Sequence, residues 1–195
     1  MPSPKQITAA DIMPLSEYVK IRDAKRKEIV AMKQNRRLEV GPHVSFYFEN
    51  WQTMWLQIQE MLYIEKGGHD QLVDELEAYN PLIPQGRELV ATVMFEIDDP
   101  QVRKKTLGQL GGVEETIFLA IGNHKIMAKP ETDIDRTTAE GKTSSVHFVH
   151  FGLTAEQVAA FKTEASVVLG FDHPLYGHST RLPTAVRDAL ARDFY

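Results

Sequence analysis

The sequence predicts an α+β domain in which helices pack on a mostly antiparallel sheet. Segments that favour strands and segments that favour helices alternate irregularly, and several strands are joined by links of hairpin length. A parallel, doubly wound sheet would need a crossover helix between successive strands. The chain has 195 residues, of which 43% are apolar and 25% charged, the ordinary mix of one globular domain.

Two parts of unequal size are predicted: residues 1–14 as a loose N-terminal arm and residues 15–195 as a single α+β domain. The arm begins with polar residues and two prolines, which favour an unpaired chain. A helix follows over residues 15–35, with Ser16 placed to cap it and no Pro or Gly inside. Residues 1–39 carry nine basic and five acidic side chains, a net charge of +4. Because the whole chain has a net charge of −5, the remaining residues carry −9.

The remaining elements follow from turn residues and from the side-chain pattern. A Gly-Pro turn at residues 41–42 precedes the first strand, and β-branched and aromatic residues mark the strands. Strands are predicted over residues 44–48, 88–97, 116–121, 125–128, 144–151 and 165–171. Helices are predicted over residues 51–65, 69–79, 100–110, 155–161 and 183–192, with Asn50 and Thr154 capping two of them. Residues 129–142 are polar and irregular, and are predicted to form a mobile loop.

The predicted helix over residues 51–65 is unusually apolar. Between residues 50 and 64 only Glu60 is charged, and apolar side chains occupy nearly every side of the helix. A helix of this kind belongs in a core, so Glu60 is expected to be a buried carboxylate, and Gln57 and Gln59 buried amides. A buried carboxylate has to be paired, hydrogen-bonded, protonated or bound to a metal.

Three roles for Glu60 are open on this basis. It could form a structural bridge to an arginine, the candidates being Arg36, Arg37 and Arg87. It could bind a ligand or act in catalysis, or it could be exposed at an opening that the sequence does not reveal.

The chain has seven histidines and no cysteine. The absence of cysteine excludes thiolate zinc sites and an iron–sulfur cluster held by the protein. Taken singly, each histidine is well explained as a structural residue. His43 and His173 are predicted at strand ends and His147 within an apolar strand, from which they could meet beneath the apolar helix. Three imidazoles with Glu60 suit Fe, Zn or Mn; alternatively, Glu60 is a general base with a histidine as its acid partner. His150 is expected on the opposite face of the strand from His147.

Several blocks of sequence, spread between about residues 15 and 176, carry a resemblance to a known family. They are Asn35-Arg36-Arg37, Gly41-Pro42-His43, Phe46-Tyr47-Phe48-Glu49-Asn50, Gln57-Ile58-Gln59-Glu60-Met61-Leu62, Ala78-Tyr79-Asn80-Pro81-Leu82-Ile83-Pro84, Ser145-Val146-His147-Phe148 and Asp172-His173-Pro174. On these blocks the chain resembles an uncharacterised bacterial family catalogued as domain of unknown function 3501. The family pattern includes His43, Glu60, His147, Asp172 and His173. The resemblance implies association with a rubrerythrin-type di-iron protein and an iron–sulfur oxidoreductase, and hence redox or oxidative-stress work.

Two functions are predicted from these observations. The first is an accessory protein of a redox system with a buried site for a divalent metal. The predicted metal ligands are His43, Glu60, His147 and His173. The side chains expected to orient those ligands are Gln57, Gln59 and Asp172. The alternative is a non-catalytic subunit that docks on an acidic redox partner through its basic N-terminal helix.

Other partners are disfavoured by the sequence. No apolar run approaches the roughly 20 residues of a membrane helix, and the start lacks a signal-peptide stretch, so a cytoplasmic protein is expected. The negative net charge and the lack of aromatic residues among the basic ones argue against nucleic acid. Phosphate or nucleotide binding through Arg36 and Arg37 is a third possibility, weakened by the absence of a phosphate loop.

Overall fold

A computed structural model describes residues 6–131, 137–138, 141–163 and 166–195 of the chain. The helices are α1 (Leu15–Lys33), α2 (Trp51–Glu65), α3 (Gly68–Tyr79), α4 (Pro100–Leu107), α5 (Ala155–Thr163) and α6 (Thr184–Leu190). The strands are β1 (Arg37–Val40), β2 (Val44–Phe48), β3 (Glu88–Phe95), β4 (Ile117–Ile121), β5 (His124–Met127), β6 (Lys129–Pro130), β7 (Val146–Gly152), β8 (Val167–Phe171) and β9 (Ser179–Arg181). These helices and antiparallel strands confirm the predicted α+β class.

Two antiparallel sheets are formed by these strands. The five-stranded sheet has the order β1-β2-β3-β7-β6, and the four-stranded sheet has the order β5-β4-β8-β9. The turn between β1 and β2 depends on Gly41, whose φ of +70° is unfavourable for other residues. A Cβ at Gly41 would also lie 2.7 Å from the ring of His178, so both backbone and packing require glycine there.

The two sheets pack face to face and enclose the larger hydrophobic core. Phe46 of β2 and Phe171 of β8 meet inside it, with ring centroids 5.6 Å apart. Along β7, alternate residues point to opposite faces. His147 and Val149 are buried on the inner face, whereas Phe148 packs against the helices outside. The five-stranded sheet therefore separates two cores.

Helices α1, α2 and α3 cover the outer face of the five-stranded sheet. Tyr18 of α1 and Ile58 of α2 are fully buried in a second core, which includes Val90 of β3. The predicted burial of the apolar helix is confirmed on this side. Its last turn is different, because Ile64 is 64% exposed.

The N-terminal segment from Gln6 onward is held against the second core, which corrects the expectation of a loose arm for these residues. The side chain of Asn80 accepts a hydrogen bond from Ile7 N at 2.7 Å and donates one to Ile7 O at 2.9 Å. The side chain of Gln59 accepts a hydrogen bond from Met13 N at 2.7 Å. The side-chain amides of Asn80 and Gln59 thus supply the backbone of this segment with hydrogen bonds that a neighbouring strand would otherwise provide. Residues 1–5 lie outside the described part.

The ends of the predicted elements need small corrections. The first helix ends at Lys33 and has Pro14 in its cap position, so Ser16 lies inside the first turn. The short edge strands β1, β6 and β9 are absent from the sequence prediction, because two to four residues are too few to show a period. Parts of the predicted loop over residues 129–142 lie outside the described ranges. No helix in those ranges has the length and apolar character needed to cross a membrane.

Candidate ligand-binding site

Glu60 pairs with an arginine, as one sequence hypothesis expected, but the arginine is Arg22 and not one of the three candidates. Arg22 Nε donates to Oε1 at 2.8 Å and Nη2 donates to Oε2 at 2.7 Å, while the hydroxyl of Tyr18 donates to Oε1 at 2.5 Å. The hydrogen bonds from Arg22 are the largest influence, and with Tyr18 they hold the pKa of Glu60 below its usual value despite burial. Glu60 therefore ties α1 to α2.

Arg36 and Arg37 are also engaged within the fold. Arg36 is 3% exposed, and its guanidinium donates to Asp193 Oδ2 at 2.6 Å and to the carbonyl oxygen of Phe48 at 2.9 Å. Arg37 Nη2 donates to Glu96 Oε2 at 3.1 Å. These pairs remove the support for a phosphate site built on the two arginines.

The structure separates Glu60 from the predicted histidine ligands. His147 faces the inside of the sandwich, whereas α2, which carries Glu60, packs on the outer face of the same sheet. His147 Nε2 lies 3.0 Å from Thr143 Oγ1 and 3.0 Å from the carbonyl oxygen of Ser144. Within the described ranges, no three His, Asp or Glu side chains are grouped so as to hold a metal ion.

His43, His147 and His173 lie at one end of the sandwich, around Tyr176 and Phe95. His43 N donates to the hydroxyl of Tyr176 at 3.1 Å, and Tyr176 N donates to His173 O at 3.0 Å. The ring of Phe95 is 6.1 Å from that of His147 and 6.0 Å from that of Tyr176. The three histidines do not converge with Glu60, so a divalent metal held by these four residues stays a prediction without a geometry to support it.

The side chains expected to orient the metal ligands contact other groups. Gln59 is fully buried, and its amide holds the backbone of the N-terminal segment. Gln57 Nε2 donates to the hydroxyl oxygen of Tyr79 at 3.3 Å. Asp172 is exposed and pairs with Lys125. None of these contacts involves a histidine.

A cavity of about 290 Å³ lies elsewhere, between the outer face of the five-stranded sheet and the helices. Side chains alternate along β2, so Phe46 and Phe48 point into the sandwich and Tyr47 points to the outer face of the sheet. The cavity lies on this outer face, under the helices. The polar side chains that line the cavity are Lys33, Glu49, Gln57, Tyr79 and Thr92. Its apolar lining consists of Met54, Leu82, Met94, Phe148 and the ring of Tyr47.

Glu49 is the chemically unusual group in this cavity. Its side chain is 4% exposed, and Oε1 accepts a hydrogen bond from Thr92 Oγ1 at 2.8 Å. The other oxygen, Oε2, is buried and has no hydrogen-bond partner in the described part of the protein. An uncompensated buried carboxylate oxygen is costly, and this one belongs to a residue that lines the cavity.

Tyr79 supplies a donor to the same cavity. Burial is the largest cause that raises the pKa of its phenol above the usual value, and the negative charges of Glu75, Glu65 and Glu49 act in the same direction. The phenol therefore keeps its proton at neutral pH. Its oxygen accepts from Gln57, while its own O–H finds no acceptor among the residues that the structure describes.

Glu49 is absent from the site predicted by sequence, although a signal for it exists. From Val44 to Gln59 it is the only charged residue, which is the same pattern that singled out Glu60. Glu49 also sits at the junction between a buried strand and the cap of α2, where its backbone N–H donates to Val90 O at 2.8 Å. A charged side chain fixed at such a junction has little freedom to reach water.

Part of the basic charge of α1 is neutralised by neighbouring acids. Arg22 pairs with Glu60, and Arg26 lies 3.8 Å from the same carboxylate. Lys25 pairs with Glu28 at 2.8 Å. The surface offered to a partner is thus less basic than the sequence indicates, and docking through this helix stays a prediction.

A model of the family described as "Protein of unknown function (DUF3501)" matches residues 6–194. The chain belongs to this family. A solved structure of a novel protein of unknown function from Burkholderia pseudomallei K96243 is also similar, with 34% sequence identity and a TM-score of 0.90. That alignment covers 97% of this chain and 100% of the other. A search of curated proteins finds no match.

Family membership confirms the resemblance that the sequence blocks indicated. It brings no assigned activity, since the family and the similar structure are both described as of unknown function. The redox role, the rubrerythrin-type partner and the iron–sulfur oxidoreductase partner accordingly stay predictions.

Proposed function

We propose that this protein binds a small organic cation in the cavity beside Glu49. The observation that carries the proposal is the buried Oε2 of Glu49, which lacks a hydrogen-bond partner in the described structure. A protonated amine or an amidinium group supplies both the hydrogen-bond donor and the positive charge that this oxygen lacks. Such charge-assisted hydrogen bonds are shorter and stronger than neutral ones.

The size and lining of the cavity define the rest of the ligand. About 290 Å³ is near the lower end of the range for ligand pockets, roughly 300–1,000 Å³, so the ligand is compact. Met54, Met94 and Phe148 present apolar surface to it. Methionine side chains adapt to irregular and aromatic shapes, which suits a ligand with an apolar or aromatic body.

An organic cation fits the side chains of this cavity better than a metal ion does. Divalent metal ions in proteins prefer several carboxylate, imidazole or carbonyl ligands. Glu49 is the only carboxylate among the described residues that line the cavity. A single ammonium or amidinium group needs no more than the one free oxygen and an apolar surround.

Calorimetric titration of the purified protein with phenethylamine tests the proposal, with phenethyl alcohol as the neutral counterpart. We expect the amine to bind and the alcohol to bind at least tenfold more weakly, because a hydrogen bond to a charged group contributes about 1.5–3 kcal/mol. Glu49→Gln should remove most of this preference. Glu156→Gln is the matched control, since Glu156 is 83% exposed on α5 and should leave binding unchanged.

The decisive comparison is between the two glutamate variants. Binding of phenethylamine that is equally strong in Glu49→Gln and in the unsubstituted protein would contradict the proposal. Failure of phenethylamine, benzylamine and benzamidine to bind the unsubstituted protein would contradict it as well. Circular dichroism of each variant confirms that a lost signal reflects binding and not unfolding.

A further inference from the structure

Lys33 brings a second charge to the cavity that contains Glu49. It occupies the last turn of α1, is half-buried, and lines the cavity together with Glu49 and Tyr79. No ion pair joins Lys33 to Glu49 or to any other acidic side chain in the described part of the chain. Two opposite charges therefore line one small space without neutralising each other.

This arrangement differs from the other basic residues of the same region. Arg22 pairs with Glu60 at 2.7 Å, Lys25 with Glu28 at 2.8 Å, and Arg36 with Asp193 at 2.6 Å. In each of these pairs the protein itself supplies the counter-charge. Among the described residues none supplies a counter-charge to Lys33, although Glu49 lines the same cavity.

We propose that the ligand of this cavity is a zwitterion, an amino acid with an apolar side chain, whose ammonium group binds Glu49 and whose carboxylate binds Lys33. The inference rests on the proposed function and adds the second charged group of the ligand. An ammonium donates to the free Oε2 of Glu49, and a carboxylate accepts from the lysine ammonium. The buried carboxylate of Glu49 and the half-buried ammonium of Lys33 then each have an opposite charge in contact with them.

The other polar groups of the cavity agree with a ligand carboxylate. The O–H of Tyr79 has no acceptor among the described residues and can donate to a ligand oxygen. The apolar lining from Met54, Met94 and Phe148 accommodates the side chain. A simple amine would use Glu49 and this lining but would leave Lys33 and the Tyr79 O–H without partners.

A set of three matched probes separates the two charges. Phenylalanine carries both the ammonium and the carboxylate, phenethylamine only the ammonium, and 3-phenylpropanoate only the carboxylate. The set is extended to other side chains with leucine, methionine and their decarboxylated amines. It is extended to other spacings of the two charges with β-alanine and 4-aminobutyrate. Each is titrated calorimetrically into the full-length protein and into its variants.

The expected result is a zwitterion that binds more tightly than its matching amine. In Lys33→Met, its affinity should fall about tenfold because one charge-assisted contact is removed. The affinity for the amine should not fall, because the amine makes no favourable contact with the lysine charge. Lys33→Arg keeps the charge and should keep the preference. Lys27→Met is the matched control, since Lys27 lies on α1 and does not line this cavity.

The outcomes distinguish this inference from the function on which it rests. If amines bind as tightly as zwitterions, or if Lys33→Met weakens both equally, the zwitterion is excluded while cation binding at Glu49 stands. If no amine and no amino acid binds, both proposals fail. If 3-phenylpropanoate alone binds, and does so independently of Glu49, both proposals also fail.

Discussion

The hydroxyl of Thr92 donates to Oε1 of Glu49 at 2.8 Å and is the only hydrogen-bond donor to that carboxylate in the described structure. The two residues lie on neighbouring parts of the five-stranded sheet: Thr92 is in β3, and Glu49 follows the end of β2. The bond occupies Oε1 and leaves Oε2 without a hydrogen-bond donor in the described structure. A positioning role for Thr92 follows, and it can be measured separately from ligand contact.

Thr92→Val is expected to destabilise the protein by about 1–3 kcal/mol, since it leaves a buried carboxylate with no donor. Urea unfolding monitored by circular dichroism measures the change. Thr92→Ser keeps the hydroxyl and should recover most of the loss. A loss in the Ser variant with none in the Val variant would show that the methyl packing of Thr92, and not its hydrogen bond, is what matters.

Glu49→Gln is expected to raise the stability of the ligand-free protein, in the opposite direction from Thr92→Val. A glutamine oxygen can still accept from Thr92, while the charge that lacks a partner is removed. The measurement is the urea midpoint of the variant against that of the unsubstituted protein. A variant of lower stability would mean that Oε2 is well satisfied in solution, for example by ordered water, and would weaken the proposed function.

The sequence predicted the fold class well because the class depends on periodic patterns that a single chain displays. The β-branched and aromatic runs of β2 and β7 and the apolar stripe of α2 each identify their element directly. The edge strands β1, β6 and β9 are too short to alternate visibly. Their positions depend on the neighbours with which they pair, and those neighbours are distant in sequence.

The candidate site was less accessible to prediction, for a physical reason. Glu60 does need a partner, as its isolation in an apolar helix indicated, but the identity of that partner depends on how α1 packs across α2. The sequence predicts that three histidines could meet beneath the apolar helix, yet the five-stranded sheet separates His147 from Glu60. A single charged residue within an apolar segment can therefore be recognised from the sequence as unusual. The residues that contact it can be identified only from the structure.

Asn80→Ala is expected to release the N-terminal segment from the second core. Asn80 bonds both the N–H and the carbonyl of Ile7, whose side chain is 2% exposed. The loss of two hydrogen bonds to buried backbone groups should cost about 1–3 kcal/mol. Limited proteolysis should then cut near Ile7 in this variant but not in the control Glu77→Ala, which changes an exposed residue of α3. Unchanged proteolysis would show that packing of Ile7 alone holds the segment.

Glu60→Gln is expected to lower stability at neutral pH and to have little effect in acid. Hydrogen bonds from Arg22 are the largest cause that lowers the pKa of Glu60 from 4.5 in the folded protein. A lowered pKa contributes stability that is present above pH 4.5 and is lost as the pH falls through the folded value. Urea unfolding across this range should show the two proteins converging in acid. A difference independent of pH would mean that the pair contributes through packing.

His150 should show the opposite pH dependence. Its Nε2 lies 2.7 Å from Glu131 Oε1 and its Nδ1 lies 3.2 Å from Glu88 Oε2. Burial is the largest single influence and lowers the pKa of His150, but the two carboxylates together outweigh it and raise the pKa above 6.5. The imidazolium therefore contributes stability that is complete below pH 6.5 and is lost as the pH rises through the folded value.

This dependence is measured by comparing the unsubstituted protein with His150→Gln in urea unfolding at several pH values. The advantage of the histidine should be largest in mild acid and should decline as the imidazolium loses its proton. Glu131→Gln removes one of the two carboxylates, so the pKa of His150 followed by NMR should move down toward 6.5 or below. A pKa that does not move in this variant would mean that Glu131 does not hold the imidazolium in solution. The raised pKa would then have to be assigned to Glu88 alone.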